Sequence, residues 1–366
     1  MKHIALISNS FISLYNFRNE LIYELLKQYK VTLVCPMEDG DKERSADYLE
    51  KGCNIVDISI SRRGKNPFAE LALKRRYIQI LSDIKPDLVI TYTIKCNIYA
   101  GGAAHKLGIP YFMNITGIGV AFEKPGLLKT ITTCLYKKPY ANSKAIFFQN
   151  EDNRQIFHDA GLASEFEKMV PGSGINLDKF AYREYQKEYE NTFIYIARLQ
   201  KAKGTEEFFR AAKLMKDAHE DVSFVVLGRC EEDYAKELKS LEEQGVLTYY
   251  GWRDDARSFI EKSGCMINPS YHEGMSNVCL EAAAVGRPMI VSDIAGCREI
   301  VDDKVNGFLI PIKDSDALFS RMEAFYNMTF EDKRQMGILG RQKIEKEFDR
   351  KKVIEIYKDE IRNTLK

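Results

Sequence analysis

Two glutamates stand in a segment that runs from a buried strand into a helix. The apolar run ends at Asn268, and Ser276 and Asn277 are residue types that cap helix N-termini, so we predict that a helix begins there. Glu273 then lies in the connecting loop, and Glu281 lies about one and a half turns into the helix. Such carboxylates can accept hydrogen bonds from sugar hydroxyls, and a helix N-terminus attracts phosphate. On spacing alone, a solvent-exposed loop glutamate and an ordinary helical glutamate are the alternative.

A second segment places two basic residues at a junction between a strand and a helix. Residues 192–197 are predicted to form the strand, and Arg198, Lys203 and Gly204 follow before the helical pattern resumes. Cations beside a glycine at such a junction suit a diphosphate. Basic side chains in an exposed loop are the alternative.

The residues around the two glutamates carry a wider pattern. From Pro269 to Val301 the chain reads PSYHEGMSNVCLEAAAVGRPMIVSDIAGCREIV. Seven residues separate the glutamates, a turn at 286–288 leads into a strand, and Gly296 is followed by Glu299. This segment resembles the donor site of the retaining glycosyltransferase family 4, whose members have the GT-B fold.

The resemblance implies a role for the polar residues of both segments. Glu273 would contact the donor sugar, and Glu281 would hold the ribose of the nucleotide. Arg198 and Lys203 would bind the donor diphosphate and, with Glu273, form the catalytic set. Main-chain amides of the next residues would face the sugar and the phosphates, namely Gly274, Met275, Ser276 and Asn277.

Two arginines are candidates for contact with the nucleotide base. The end of the predicted strand 222–227 and the loop 251–254 occupy the places where the family packs this base. Arg229 and Arg253 lie in these two places. Trp252, the only tryptophan of the chain, is equally consistent with simple packing.

The elements that must hold these residues alternate between apolar runs and helical periodicity. This order predicts an α/β fold with two doubly wound, Rossmann-like sheets, which bind ligands at the carboxyl ends of their strands. The resemblance implies a GT-B protein whose two domains face a cleft. The predicted strands are 3–8, 31–36, 54–58, 87–92, 110–114 and 145–149 in the first half, and 192–197, 222–227, 246–250, 265–268, 289–292 and 308–310 in the second.

A polar stretch within residues 172–190 separates the two patterns. We predict an N-terminal, acceptor-binding domain over 1–180 and a C-terminal, nucleotide-sugar-binding domain over 181–348. Residues 349–366 have the pattern of an amphipathic helix with no strand after it, which we expect to cross back to the N-terminal domain. A length of 366 residues and an apolar content of 45% suit two such cores.

The N-terminal half resembles one branch of the family, which builds bacterial surface polysaccharides and lipid-linked oligosaccharides. This implies an oligosaccharide acceptor, in particular one linked to undecaprenyl diphosphate. Residues 114–119 contain no histidine, although several family members place one near the reacting carbon, so the leaving phosphate is the candidate base. The segments that carry the likeness are Ser8–Arg18, Ser61 with Arg62, Asn66–Phe68, Ile94–Tyr99, Thr116–Gly119 and Phe148–Glu151.

Positive charge gathers in the first half of the chain. Residues 51–150 hold 15 Lys and Arg against 5 Asp and Glu, although the formal charge of the whole chain is only +1. Within 122–144, apolar residues alternate with Lys124, Lys129, Lys137, Lys138 and Lys144, and Glu123 is the only acidic residue. Such a basic amphipathic surface suits an anionic membrane. A helix that faces the core and exposes a lysine edge is the alternative.

Several cofactors and partners are not expected. The pairs Asp39 with Asp41 and Asp314 with Asp316 have the spacing of a Mn²⁺ motif, but we interpret both as surface loops and expect no metal or cofactor, only a UDP-sugar donor. The basic face lacks the motifs of nucleic-acid binders. No apolar stretch is long enough to span a bilayer, so we expect a cytoplasmic protein held peripherally on the inner face of the plasma membrane.

Three functions fit these observations. The leading hypothesis is a retaining transferase that moves a sugar from a UDP-sugar to a lipid-linked glycan, because the two glutamates, Arg198 and Lys203 are all present. A nucleotide-sugar epimerase can share the two-domain architecture but needs neither an acceptor nor a membrane. A non-catalytic sugar-binding partner in a biosynthetic complex would bind the donor without turning it over.

Overall fold

The computed structural model describes residues 1–60, 67–119, 122, 126–231 and 233–366. The chain forms two compact units, of which the first comprises Met1–Ser173 with Lys352–Lys366 and the second comprises Gly174–Lys351. Residues 174–180, which the sequence pattern places in the first domain, lie in the second unit. Some residues singled out above fall outside the described part of the chain, namely Ser61, Arg62, Asn66, Glu123 and Lys124.

The first unit is built on one parallel sheet. Its strands are β1 His3–Ile7, β2 Lys30–Cys35, β3 Asn54–Asp57, β4 Leu88–Tyr92, β5 Tyr111–Ile115, β6 Ala145–Phe148 and β7 Glu167–Met169. They pair in the order β3-β2-β1-β4-β5-β6-β7. The residues of β1 and β4 are fully or almost fully buried, as expected for parallel strands covered on both faces.

Helices cover both faces of this sheet. They are α1 Phe11–Leu26, α2 Asp41–Glu50, α3 Pro67–Ile84, α4 Gly101–Lys106, α5 Leu127–Ala141 and α6 Glu151–Asp159, with a π-helical turn at Cys96–Ala100 that leads into α4. One core cluster joins the sheet to α3, α4, α5 and α6, and a second joins it to α1 and α2. The helices α3 and α5 therefore lie on the same face.

The second unit repeats this plan. Its strands are β8 Thr192–Ile196, β9 Ser223–Leu227, β10 Thr248–Tyr249, β11 Cys265–Asn268, β12 Met289–Ser292 and β13 Gly307–Ile310, in the order β10-β9-β8-β11-β12-β13. Its helices are α7 Thr205–Ala218, α8 Ala235–Glu243, α9 Arg257–Glu261, α10 Asn277–Val285, α11 Ser315–Tyr326 and α12 Phe330–Glu347.

Both sheets reverse their strand order at one internal pair. In the second sheet this pair is β8 and β11, where Tyr195 lies beside Ile267. The loops that leave these two strands therefore start next to each other at the carboxyl edge, which is where α/β sheets bind ligands. The two segments with candidate site residues follow these two strands.

The last helix, α13 Arg350–Thr364, continues from the second unit into the first. Tyr357 and Ile361 are fully buried in the first core. The Tyr357 hydroxyl donates to the side chain of Asn114, and its ring centre lies 4.6 Å from that of Phe147. This helix therefore completes the core of the first unit.

The fold class predicted from the sequence is confirmed, and each predicted strand overlaps an observed one. Two features were not predicted. The helix α1 begins at Phe11, inside the segment Ser8–Arg18 that was noted above only for its likeness to the family. Phe11, Leu14 and Arg18 share one buried face with helical spacing. The short edge strand β7 was not predicted, since Glu167–Met169 lacks an apolar pattern.

Gly228 lies where β9 ends against β8. Its φ is +138°, and a Cβ atom there would lie 1.6 Å from the carbonyl oxygen of Ala197. Its amide donates to the carbonyl of Gly251 at 3.0 Å. Any side chain would therefore push apart the strand ends that carry the candidate site.

We expect Gly228→Ala to lower the free energy of unfolding by about 3 kcal/mol, because the overlap is with rigid backbone. Urea denaturation followed by circular dichroism measures the change. Gly102→Ala is the control, since its Cβ atom would meet nothing within 4 Å and alanine favours the helix. Equal stability of the two variants would contradict the described packing.

Candidate active site

Lys203 extends from the loop after β8 to the loop after β11. Its Nζ lies 2.7 Å from Glu273 Oε1, and the two side chains are only 18% and 16% exposed. Gly204 permits this approach, because its φ is +69° and a Cβ atom there would lie 2.2 Å from the carbonyl oxygen of Pro269. The structure thus brings Lys203, which the sequence analysis assigns to the diphosphate, next to Glu273, which it assigns to the sugar.

Arg198 lies in the same loop but has a different partner. Its Nη1 lies 3.2 Å from Glu231 Oε2, and its side chain is 50% exposed. The loops after β8 and β9 run together here, since the Leu199 amide donates to the Arg229 carbonyl at 2.8 Å. Sequence reasoning missed Glu231, because no motif marks it and only the pairing of these loops places it beside Arg198.

The turn into α10 is held by buried polar contacts. Asn268 Nδ2 donates to Ser276 Oγ at 2.8 Å, and the Ser276 amide donates to the Gly296 carbonyl at 2.9 Å. Ser276 occupies the N-cap position, as predicted, but its hydroxyl makes no capping bond. Its amide is also engaged by the protein itself. Within the described residues, the amides of Met275 and Asn277 meet no protein acceptor.

Glu281 lies one turn into α10 and is half-buried. Among the described residues, no side chain or amide donates a hydrogen bond to its carboxylate. Burial raises the pKa of Glu281 to about 7, and the positive charges of Lys179 and Arg350 offset this only in part. A carboxyl group that is partly desolvated and lacks a protein partner is suited to receive hydrogen bonds from a ligand.

The two arginines assigned to the base lie at the ends of β9 and β10. The Arg229 guanidinium is 5.1 Å from the ring centre of Trp252, which is 48% exposed. Arg253 turns back to the Trp252 carbonyl at 3.4 Å. An exposed indole beside a guanidinium offers a flat surface on which a base can stack.

The acidic pairs with metal-motif spacing have structural roles. Asp314 Oδ1 accepts from the Ala317 amide at 2.8 Å and caps α11. Asp41 is buried rather than on the surface, contrary to the prediction, because it accepts from the Glu38 amide at 2.9 Å at the start of α2. Within the described residues, no group of three or more His, Cys, Asp or Glu side chains can hold a metal ion. That the protein needs no metal stays a prediction.

Two doubly wound units, whose first six strands follow the same order, are the architecture of the GT-B class of glycosyltransferases. Residues 190–328 match the family model described as glycosyl transferases group 1, and residues 3–150 match the glycosyl transferase 4-like model. The chain therefore belongs to the glycosyltransferase family that these two models describe, and it is a glycosyltransferase.

Individual relatives are similar over most of their length. The chain is 26% identical to the N,N'-diacetylbacillosaminyl-diphospho-undecaprenol alpha-1,3-N-acetylgalactosaminyltransferase of Campylobacter jejuni, over 87% of this chain and 88% of that one. It is 26% identical to the UDP-Gal:alpha-D-GlcNAc-diphosphoundecaprenol alpha-1,3-galactosyltransferase of Escherichia coli, over 82% and 81%. The crystal structure of Anabaena HepE with UDP-glucose has the same fold, with a TM-score of 0.81 at 15% identity over 99% and 100% of the two chains.

The raised pKa of Glu281 predicts a pH-dependent stability. Its ionised form destabilises the folded state, and this cost grows as pH rises from 4.5 to about 7 and is constant above that. Glu281→Gln should therefore raise the free energy of unfolding by about 2 kcal/mol more at pH 8 than at pH 5. Thermal or urea denaturation at both pH values measures this.

Glu237→Gln on the exposed surface of α8 is the matched control, and it should change stability equally at both pH values. If Glu281→Gln changes the free energy of unfolding equally at both pH values, the carboxyl group of Glu281 is well solvated.

Proposed function

We propose that the protein moves a sugar from a UDP-sugar to a lipid-linked glycan and that the new linkage keeps the anomeric configuration of the donor. The observation that carries this proposal is the Lys203–Glu273 pair at the reversal point of the second sheet. A cation and a carboxylate 2.7 Å apart offer one group to a diphosphate and the other to sugar hydroxyls.

Donor binding would redistribute the partners of these side chains. A diphosphate carries more negative charge than one carboxylate, so it would draw Lys203 away from Glu273. Glu273 would then accept hydrogen bonds from the sugar, as Glu281 would from the ribose. Arg198 would exchange Glu231 for a phosphate oxygen, which its half-exposed position allows.

The chemical step needs charge stabilisation more than a protein base. The bond between the anomeric carbon and the phosphate oxygen breaks, and the acceptor oxygen bonds to the same face of that carbon. The acceptor proton passes to the leaving phosphate oxygen. Arg198 and Lys203 place positive charge where negative charge develops on the leaving group.

The acceptor class is supported by the relatives described above. Both act on sugars carried by undecaprenol through a diphosphate, and each is similar over more than 80% of this chain. We therefore propose a lipid-linked acceptor in bacterial glycan assembly and a peripheral position on the cytoplasmic face of the membrane. Among the described residues, no helix has the length and hydropathy to cross a bilayer.

The first unit exposes apolar side chains on two helices of one sheet face. Phe68 on α3 is 83% exposed, and Leu127 on α5 is 76% exposed. Helices that connect parallel strands begin at the carboxyl edge of the sheet, so the first turns of α3 and α5 lie at that edge. Further exposed apolar residues on these helices are Leu71, Leu128, Ile131 and Leu135. We call these six residues the apolar edge.

The same helices carry exposed cations. Lys74 and Arg75 are exposed on α3, Lys137 and Lys138 are exposed on α5, and Lys129 on α5 is half-buried. Among the described residues, none of these five has a carboxylate partner. Buried Tyr136 and Tyr140 face the core, so α5 has both a packed side and a free apolar side. A combined apolar and basic surface suits an anionic bilayer, which we propose as its partner.

The donor assignment predicts binding without metal. UDP and selected UDP-sugars, but not every nucleotide, should raise the melting temperature in the presence of EDTA. Arg198→Ala should abolish this shift, and Lys203→Ala should lower kcat about a hundredfold by removing charge stabilisation. Product NMR should show the anomeric configuration of the donor.

Lys201→Ala is the matched control, because Lys201 is a neighbouring cation that pairs with Glu206. It should behave like the wild type. If no nucleotide raises the melting temperature, the proposed donor site is refuted. Turnover without an acceptor would indicate an epimerase, and binding without turnover a non-catalytic partner.

The membrane assignment predicts binding to anionic vesicles. The double variant Leu127→Glu with Ile131→Glu should lower the affinity for mixed phosphatidylglycerol and phosphatidylcholine vesicles by about tenfold or more, measured by co-sedimentation. Leu49→Glu is the control, because Leu49 is 52% exposed on α2, on the opposite face of the sheet. If the control variant loses as much vesicle affinity as the double variant, or if the wild type does not bind vesicles, a lipid contact at the apolar edge is refuted.

A further inference from the structure

One tyrosine joins the two loops of the candidate site. The Tyr271 amide donates to the Ala202 carbonyl at 3.0 Å, and its hydroxyl donates to Glu207 Oε1 at 2.6 Å. Tyr271 belongs to the loop after β11, whereas Ala202 precedes Lys203 in the loop after β8, and Glu207 lies in the first turn of α7. The tyrosine therefore ties one loop to the other at two points.

The hydrogen bond from the Tyr271 hydroxyl to Glu207 is short, and its acceptor is a carboxylate. Burial and the contact with Glu207 raise the pKa of Tyr271 above its ordinary value, as expected for a phenol that donates to a carboxylate. The second oxygen of Glu207, Oε2, is buried and has no hydrogen-bond partner among the described residues. Glu207 thus depends on Tyr271 and on the positive end of α7 for its stabilisation.

The anchored main chain lies next to the cation of the site. Ala202 is the residue before Lys203, and Tyr271 stands two residues before Glu273. On the other side, Tyr195 Oη donates to the Lys203 carbonyl at 3.0 Å. The backbone of Lys203 is therefore held from both sides, whereas, among the described residues, its ammonium group pairs with Glu273 alone.

We propose that Tyr271 is a positioning residue for glycosyl transfer, which acts through Lys203. Donor binding would open the Lys203–Glu273 pair, and the contacts of Tyr271 with Ala202 and Glu207 would then keep the two loops in register. This inference rests on the proposed donor site. Small displacements of a charge-stabilising group can cost a large part of the rate even when the group itself is present.

The variant Tyr271→Phe tests this role. It removes the hydroxyl but keeps the ring, which also packs under Lys313 with Nζ 5.2 Å from the ring centre. We expect kcat to fall about tenfold while KM for the donor stays within about twofold, because the loss concerns the transition state rather than binding. Glu207→Ala should reproduce the fall in kcat.

A double-mutant cycle separates positioning from a merely structural role. If Tyr271 acts through Lys203, Tyr271→Phe should change kcat little in a Lys203→Ala background. Tyr326→Phe is the matched control, since it also removes a tyrosine–carboxylate hydrogen bond, to Asp221 at 2.9 Å, at the start of β9 rather than its carboxyl end. It should leave kcat unchanged, and UDP-induced stabilisation should confirm that each variant is folded.

The possible results are distinguishable. If Lys203→Ala itself leaves kcat unchanged, the proposed donor site is wrong. If Lys203→Ala lowers kcat but Tyr271→Phe does not, or if the two effects multiply, the donor site stands and the positioning role of Tyr271 is refuted.

Discussion

A lysine ammonium and a glutamate carboxylate that are 70 residues apart in sequence meet in the second unit because the strands before them lie side by side. The pairing of β8 with β11 satisfies this constraint, and the rest of the second unit maintains it. Gly204 lets one loop pass against the carbonyl of Pro269, and Asn268 fixes the turn that follows. The chemistry of the site therefore depends on sheet topology first and on side-chain identity second.

The sequence was sufficient to predict the fold and to single out Lys203 and Glu273, but it did not predict that the two side chains form an ion pair. Buried parallel strands are continuous apolar runs, which is why their positions could be predicted. The segment around Glu273 and Glu281 could be recognised because many of its residues match the family motif. The short strand β7 could not be predicted, because a polar edge strand of three residues has no period to detect. Likewise, the start of α1 at Phe11 was not predicted, because serine and asparagine residues interrupt the apolar residues of Ser8–Arg18.

Other features depend on contacts that no local pattern encodes. The partner of Arg198 is Glu231, which is brought there by the pairing of the loops after β8 and β9. The engagement of the Ser276 amide by Gly296 likewise joins residues from separate turns. The half-burial of Glu281 results from the packing of a whole helix. The roles of the site residues themselves remain predictions.

The two units share a strand order but differ in how they use its carboxyl edge. In the second unit, glycines bring the loops close together and gather charged side chains. In the first unit, the helices that start at this edge expose leucines, an isoleucine and a phenylalanine. One topology thus carries a cluster of charged side chains in one unit and exposed apolar side chains in the other, because loops and helix starts can change while the strands are kept.

The helix α13 has a consequence for the order of events during synthesis. Tyr357 and Ile361 fill the core of the first unit, yet the ribosome makes them only after the entire second unit. The N-terminal sheet therefore leaves the exit tunnel with part of its apolar surface uncovered. The core of this unit is incomplete until α13 has been made, and during that interval chaperones can bind the surface that α13 later covers.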